Sequence, residues 1–321
     1  MPIIAIAGGT SPTLGRSIVH AIQSTSATNT PIILTRASPT APTSKWNAAV
    51  RQVDYANHVS LVAALRGVQT LVSVIKVTGP QWRDAQLALL AAAREAGVRR
   101  FAPSEFGLGG KAEGVVDVLG VKGEVWQACL ESGLEVGRFC CGAFMNYLSV
   151  GWGFGGDGAR AERALAGLDD MCVIWDVGGG RAEEPTKEDG GSPRVTLTDI
   201  WDVGRFVAGA CELPLGAWED EMEMVGETIE ISRVTELIEK YSGRRMEVTK
   251  VKRQELRERV DAIEGMGGNR EEIVTKMLAQ FALLDIDEEI GGAIMEPTVN
   301  KLCPWVKAKS VEEYLQGCWG R

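Results

Sequence analysis

Histidine is almost missing from this chain of 321 residues: only His20 and His58 occur. Neither has a partner at metal-ligand spacing. A Ser-His-Asp hydrolase, a zinc hydrolase and histidine-based acid–base chemistry are therefore disfavoured. Tyrosine is nearly as scarce, and none of Tyr55, Tyr147, Tyr241 and Tyr314 has a lysine four residues on. The seven cysteines include no CxxC pair and sit mostly among apolar residues, which suits reduced thiols in a cytoplasmic compartment. The adjacent pair Cys140-Cys141 reads as core packing. No apolar run reaches about 18 residues, so no membrane-spanning helix is expected. The first residues run straight into an apolar strand, so no secretory leader is expected. A basic stripe is also lacking. The net charge of −9 opposes phosphate backbones, which makes nucleic acid an unexpected partner. No internal repeat or low-complexity tract occurs.

What is present begins at Pro2. Ile3, Ile4, Ile6 and Ala7 form a short apolar run suited to a buried parallel strand. Gly8 and Gly9 follow, then Thr10-Ser11-Pro12-Thr13-Leu14-Gly15. From Arg16 the spacing of Ile18, Val19 and Ile22 is helical. Strand, glycine turn and helix make the opening unit of a nucleotide-binding sheet. Glycine lets the backbone approach a pyrophosphate, and the free N–H groups of the helix start favour its charge.

The next unit carries a second apolar strand, Pro31 to Thr35, ending in Arg36. A chain that binds NAD tends to place an acid there, to accept from the ribose 2′-hydroxyl. Here no acid occurs until Asp54, and Lys45 lies further on. A cation at that spot suits a 2′-phosphate and favours NADP(H). Strand and helix patterns then alternate. A strand and the turn after it are expected over 50–55, and strands over 68–75, 98–102 and 134–140. Helices are expected over 60–67, 82–96 and 121–132. This rhythm predicts an α/β, doubly wound, Rossmann-like parallel sheet with ligands at the carboxyl ends of its strands.

After residue 150 the rhythm breaks. Gly151 to Gly158 reads as a flexible turn or lid, and Gly178 to Pro193 as an exposed acidic loop. Residues 171–177, 195–200, 221–231 and 246–251 are strand-like. Residues 202–213, 254–263, 270–284 and 311–315 are helical, and Ser232 is expected to cap a helix through Tyr241. These pieces predict a mainly substrate-binding, smaller α/β lobe over 151–321, with some segments, about 171–213, returning to the dinucleotide-binding domain of residues 1–150.

With these residues assembled, the chain resembles the isoflavone reductase-like and NmrA-like branch of the atypical short-chain dehydrogenases. The likeness rests on AGGTSPTLGRSIV at 7–19, LTR at 34–36, FAPSEFG at 101–107, VKGEVWQACLESG at 121–133 and FCCGAFMNYL at 139–148. It extends to LTDIWDVGRFVAGACELP at 197–214 and NKLCPWVKAKSVEEYL at 300–315. The resemblance implies NADP(H) as cofactor. Gly8, Thr10, Leu14 and Gly15 would line the pyrophosphate turn, with Ser11 and Thr13 as further donors. Arg36 and Lys45 would hold the 2′-phosphate. Ser73, Gln86, Ser104 and Phe144 would complete the cofactor site. Phe106, Asn146 and Tyr147 would line a substrate pocket. Lys122 matches the lysine that the family's reductases use near the nicotinamide. One departure is that Ser11-Pro12 replaces the family's middle glycine, and Pro12 offers a phosphate no N–H.

The leading expectation is an NADPH-dependent oxidoreductase of secondary metabolism. It would transfer hydride to an aromatic or conjugated small molecule, with Lys122 as proton donor or substrate orienter. Two alternatives stay open: a non-catalytic NADP(H)-binding regulator, and a redox-neutral isomerase or cyclase using the same pocket. The expected partner is a small molecule, not a membrane or nucleic acid, and a homodimer is allowed.

Overall fold

The computed structural model describes residues 1–25, 28–36, 48–77, 79–168, 173–265, 269–290 and 292–320. Its first part alternates β1 (Ile3–Ala7), α1 (Leu14–Thr25), β2 (Thr30–Thr35), β3 (Ala49–Gln52), α2 (His58–Leu65), β4 (Thr70–Ser73), α3 (Gly79–Ala96), β5 (Arg100–Ala102), α4 (Lys122–Leu130) and β6 (Glu135–Val136). The strands form one parallel sheet in the order β3-β2-β1-β4-β5-β6. Its central strands are mostly apolar because both faces are covered, with polar residues such as Thr70, Ser73 and Arg100 at strand ends. Successive side chains of β1 point to opposite faces. Ile4 and Ile6 pack with Ile18 and Ile22 of α1, while Ala5 and Ala7 face the core beneath α2 and α3. The strand order reverses between β1 and β4, so a crevice opens beyond their carboxyl ends.

The remainder contains β7 (Arg138–Cys140), β8 (Ala143–Phe144), α5 (Gly158–Leu165), β9 (Trp175–Asp176), β10 (Arg181–Thr186), β11 (Arg194–Thr198), α6 (Ile200–Glu212), β12 (Glu221–Glu223), β13 (Glu227–Glu230), α7 (Ile231–Ser242), β14 (Glu247–Lys252), α8 (Arg253–Asp261), α9 (Arg270–Ile286), α10 (Thr298–Leu302) and α11 (Val311–Trp319). No described helix is long and apolar enough to cross a membrane. The six described cysteines are free and buried, and burial pushes the Cys141 thiol up to about 12, which fits packing rather than reactivity.

The structure departs from the expected local elements at several points. The strand expected over 134–140 breaks at Gly137, where a Cβ would lie 2.9 Å from the Met222 side chain. The chain bends there, and β7 leaves the main sheet to pair with β12. The stretch Gly178 to Pro193 is not only loop. It contains β10, which pairs in parallel with β14 from Arg181↔Glu247 to Thr186↔Lys252. The Gly151 to Gly158 stretch leads into α5, whose cap is Asp157, accepting from the Arg160 amide at 2.9 Å. Ser232 does not cap α7. Glu230 stands at that position, and the Ser232 amide donates to the Ser192 hydroxyl at 3.0 Å. Of the stretch 171–213, α6 packs on α1 beneath the main sheet, whereas β9 and β10 join β14 in a separate three-stranded sheet.

Candidate active site

The glycine turn closes the carboxyl end of β1. Gly8 has φ +82°, a left-handed conformation that side chains disfavour, and a Cβ there would lie 3.1 Å from the Val74 carbonyl oxygen. A Cβ at Gly15 would come within 2.7 Å of the Gly8 carbonyl oxygen, so only glycine lets α1 start so near the turn. The Ser11 amide donates to Gly8 O at 2.9 Å, and the Arg16 amide returns to Ser11 O at 3.0 Å. The amides of Leu14 and Gly15, at the positive end of α1, take no backbone acceptor among the described residues. This cradle fits a phosphate. The Ser11 and Thr13 hydroxyls bond each other at 2.8 Å, and Thr10 is exposed. Pro12 packs against the segment after α5. A Cβ at Gly167 would stand 2.5 Å from the Pro12 carbonyl oxygen.

Arg36 follows β2 directly and is exposed, with its carbonyl accepting from the Gln52 side chain at 3.3 Å. Tyr55 lies near both Gly8 and Arg36. Burial pushes its phenol up to about 12, against the pull of the Arg36 charge. Lys45 lies outside the described residues.

A groove of about 260 Å³ runs from this turn along the strand ends. Its walls include Thr13, Leu14, Ile75, Trp82, Ser104 and Lys122. Next to it lies a largely apolar cavity of about 270 Å³. The two share Phe106, Val118, Leu119, Lys122, Phe144 and Tyr147. Lys122, the first residue of α4, therefore faces both spaces. Its Nζ lies 2.9 Å from Glu105 Oε2, 3.4 Å from the Glu105 carbonyl oxygen and 5.7 Å from the Trp82 ring centre. Glu105 is buried, and its Oε1 has no hydrogen-bond partner among the described residues. The Ser104 hydroxyl donates to Ile75 O at 3.2 Å, and its amide donates to Gln86 Oε1 at 3.3 Å.

Three expected site residues stand elsewhere. Gln86 is fully buried behind Ser104 and is not part of the groove wall. Ser73 is fully buried at the end of β4, with its hydroxyl unpartnered among the described residues, and does not line the groove either. Asn146 does not line the cavity. Its Nδ2 donates to Ala164 O at 2.8 Å and Asp199 Oδ1 at 3.1 Å, and its Oδ1 accepts from the Ile200 amide at 2.9 Å. It ties α5 and α6 to the segment after β8, which is a structural role.

Sequence reasoning missed Glu105, Trp82 and Tyr55, and the far wall of the cavity. That wall comes from β9, β11 and α9, through residues such as Trp175, Leu197, Met277, Phe281 and Asp285. The acid in FAPSEFG could have pointed to Glu105. The four-residue spacing of Met277, Phe281 and Asp285 could have pointed to the wall.

Residues 2–152 match the model of the NmrA-like family. No curated protein matches the sequence. Among solved structures, AtPrR2 with NADP+ and (+)-pinoresinol superposes with a TM-score of 0.72 at 19% identity, over 99% of this chain and 98% of that one. An isoflavone reductase gives 0.70 at 21% identity, over 98% of each chain. The quinone oxidoreductase QOR2 of Escherichia coli, complexed with NADPH, gives 0.68 at 17% identity over 98% of each. At these identities the likeness establishes the shared Rossmann-like α/β fold.

Proposed function

We propose, from a chain whose residues 2–152 are NmrA-like, that the protein is an NADP(H)-dependent reductase of an aromatic or conjugated small molecule. One observation carries the reading: Lys122 stands in the wall shared by the groove and the apolar cavity. Among the structural neighbours, one is named an isoflavone reductase and another an NADPH-dependent quinone oxidoreductase, and AtPrR2 and the quinone oxidoreductase were solved with NADP+ and NADPH.

The turn at Gly8 to Gly15 would hold the pyrophosphate through its open amides and the start of α1. Arg36 would pair with a 2′-phosphate. Ser104 would sit beside the nicotinamide ribose. When bound, NADPH supplies the hydride. The cavity, walled by Phe106, Phe144 and Tyr147, would take the flat apolar substrate and exclude water. Lys122 would donate a proton from Nζ to the substrate oxygen, or orient that oxygen. Glu105 holds Nζ in place at 2.9 Å.

The test is Lys122→Ala in the full-length protein. NADPH affinity, read by calorimetry, is expected to stay within about threefold, while turnover of an aromatic enone panel falls about 100-fold or more. Undiminished turnover in the variant would remove Lys122 from the chemistry. Tight binding of both NADP+ and NADPH, with no turnover by the wild type, would favour a regulator that senses the dinucleotide. Product formed without net NADPH consumption would favour redox-neutral chemistry.

A further inference from the structure

The inner cavity has a second mouth. It shares Val173, Ile174 and Asp285 with a larger outer cavity of about 630 Å³, whose walls also carry Arg181, Glu183 and Arg259. Asp285 is therefore the acid at the junction, as Lys122 is the cation at the groove end. It belongs to α9, four residues after Phe281 and eight after Met277, so one helix face supplies all three to the cavity. The side chain is 7% exposed, borders both cavities, and takes part in no hydrogen bond or ion pair among the described residues. A buried polar group without a partner costs stability, and proteins seldom keep one without use.

We propose that Asp285 selects the substrate, hydrogen-bonding a hydroxyl on an aromatic ligand whose reactive end lies at Lys122. The proposal rests on reading the inner cavity as the substrate site. Trp175 and Thr196 of the wall are engaged within the protein, the Trp175 Nε1–H donating to Thr235 Oγ1 at 2.9 Å. Thr196 Oγ1 is bonded to Thr228 Oγ1 at 2.9 Å and accepts from the Met295 amide at 3.0 Å. Tyr147 has an interaction of its own. Burial pushes the Asp285 carboxyl up to about 8. Near neutral pH it is chiefly a neutral acid, with one donor and one acceptor oxygen. A hydroxyl matches both at once. An ammonium ligand would first have to be stripped of water in an apolar chamber, at much greater cost.

The experiment uses four probes: 4-hydroxybenzylideneacetone, its methyl ether, its 4-aminomethyl analogue, and benzylideneacetone, which lacks the oxygen. Affinities are read by calorimetry on the full-length protein at pH 7, with and without NADP+. Wild type is expected to bind the phenol at least tenfold more tightly than benzylideneacetone, with the ether in between. Asp285→Asn, which keeps a donor and an acceptor, is expected to retain most of this preference. Asp285→Leu is expected to reduce it to within twofold. NADPH affinity is expected to stay within twofold in both variants. A wild type with no preference, or that binds none of the probes, overturns the proposal, as does Asp285→Leu with the preference intact. Tighter binding of the 4-aminomethyl analogue than of the phenol would overturn the hydroxyl assignment. NADPH binding is read separately, so failure of the cofactor reading is seen on its own and leaves the probe comparison in the unloaded protein standing.

Discussion

Arg36 and Lys122 are both cations near a proposed ligand, but their settings differ. Arg36 is exposed at the tip of β2, with no acid beside it among the described ion pairs. Lys122 is held by a buried carboxylate. The first is available to an incoming phosphate, and the second is fixed before any ligand arrives. Arg36→Ala is expected to weaken NADPH binding by roughly 10- to 100-fold, the worth of a hydrogen bond to a charged group. NADH, which lacks the 2′-phosphate, should change less than about twofold. Calorimetry with both dinucleotides checks this, and equal losses for the two would take Arg36 out of the phosphate site. The same contrast explains what could be foreseen. The role of Arg36 follows from one strand end and its missing acid, both local features. Asn146 looked like a pocket residue because it lies beside Phe144 and Tyr147 in sequence. Its amide instead turns to Ala164, Asp199 and Ile200, and 53 residues separate it from Asp199. No local pattern announces a bond across that distance.

Elements with a strong local period were legible, and those made by pairing were not. β1, α1 and α3 show their apolar spacing in sequence, and they formed where expected. β10 reads Arg-Ala-Glu-Glu-Pro-Thr, a poor strand by composition. It is a strand because β14 and β9 flank it and because Glu184 is buried, accepting from Thr235 and Lys250. The corner between β7 and β8 is another product of pairing. Gly142 has φ +67°, and a Cβ there would lie 2.2 Å from the backbone oxygen of Thr196 in β11. That overlap involves backbone, so it cannot be relieved by a side-chain rotation. Gly142→Ala should cost about 2–4 kcal/mol of stability, the strain of a left-handed residue plus displacement of β11. Urea unfolding measures it, and a loss below about 0.5 kcal/mol would show that the corner opens freely. Because Gly142, Thr196 and Leu197 all border the inner cavity, the surviving folded variant should also bind aromatic enones more weakly.

For the molecule as a whole, the cavity wall assembled from β9, β11 and α9 carries a thermodynamic cost that pH can expose. Asp285 titrates near 8 in the folded protein, against an ordinary value of 3.8. Below about pH 4 both folded and unfolded chains hold its proton. Between about 4 and 8 only the folded chain does, so its stability falls as pH rises, by up to about 1.4 kcal/mol per unit. Above about 8 both states have released the proton and the slope ends. Carboxylates held low by ion pairs, such as Asp117 beside Lys276 and Asp176 beside Arg181, act oppositely and lose their contribution as pH falls. They are common to wild type and variant, so they cancel in a difference. Asp285→Asn removes only the first effect. Its stability advantage over wild type should therefore widen by about 2–3 kcal/mol between pH 5.5 and 7.5. It should then level off above about pH 8.5. Denaturant unfolding of the two proteins across that range gives the curve. A difference that stays flat would mean that the carboxyl finds a partner or water in solution. A difference that widens as drawn would identify α9 as a helix holding a destabilising acid in the wall of the binding chamber, where a leucine would fold better and recognise less.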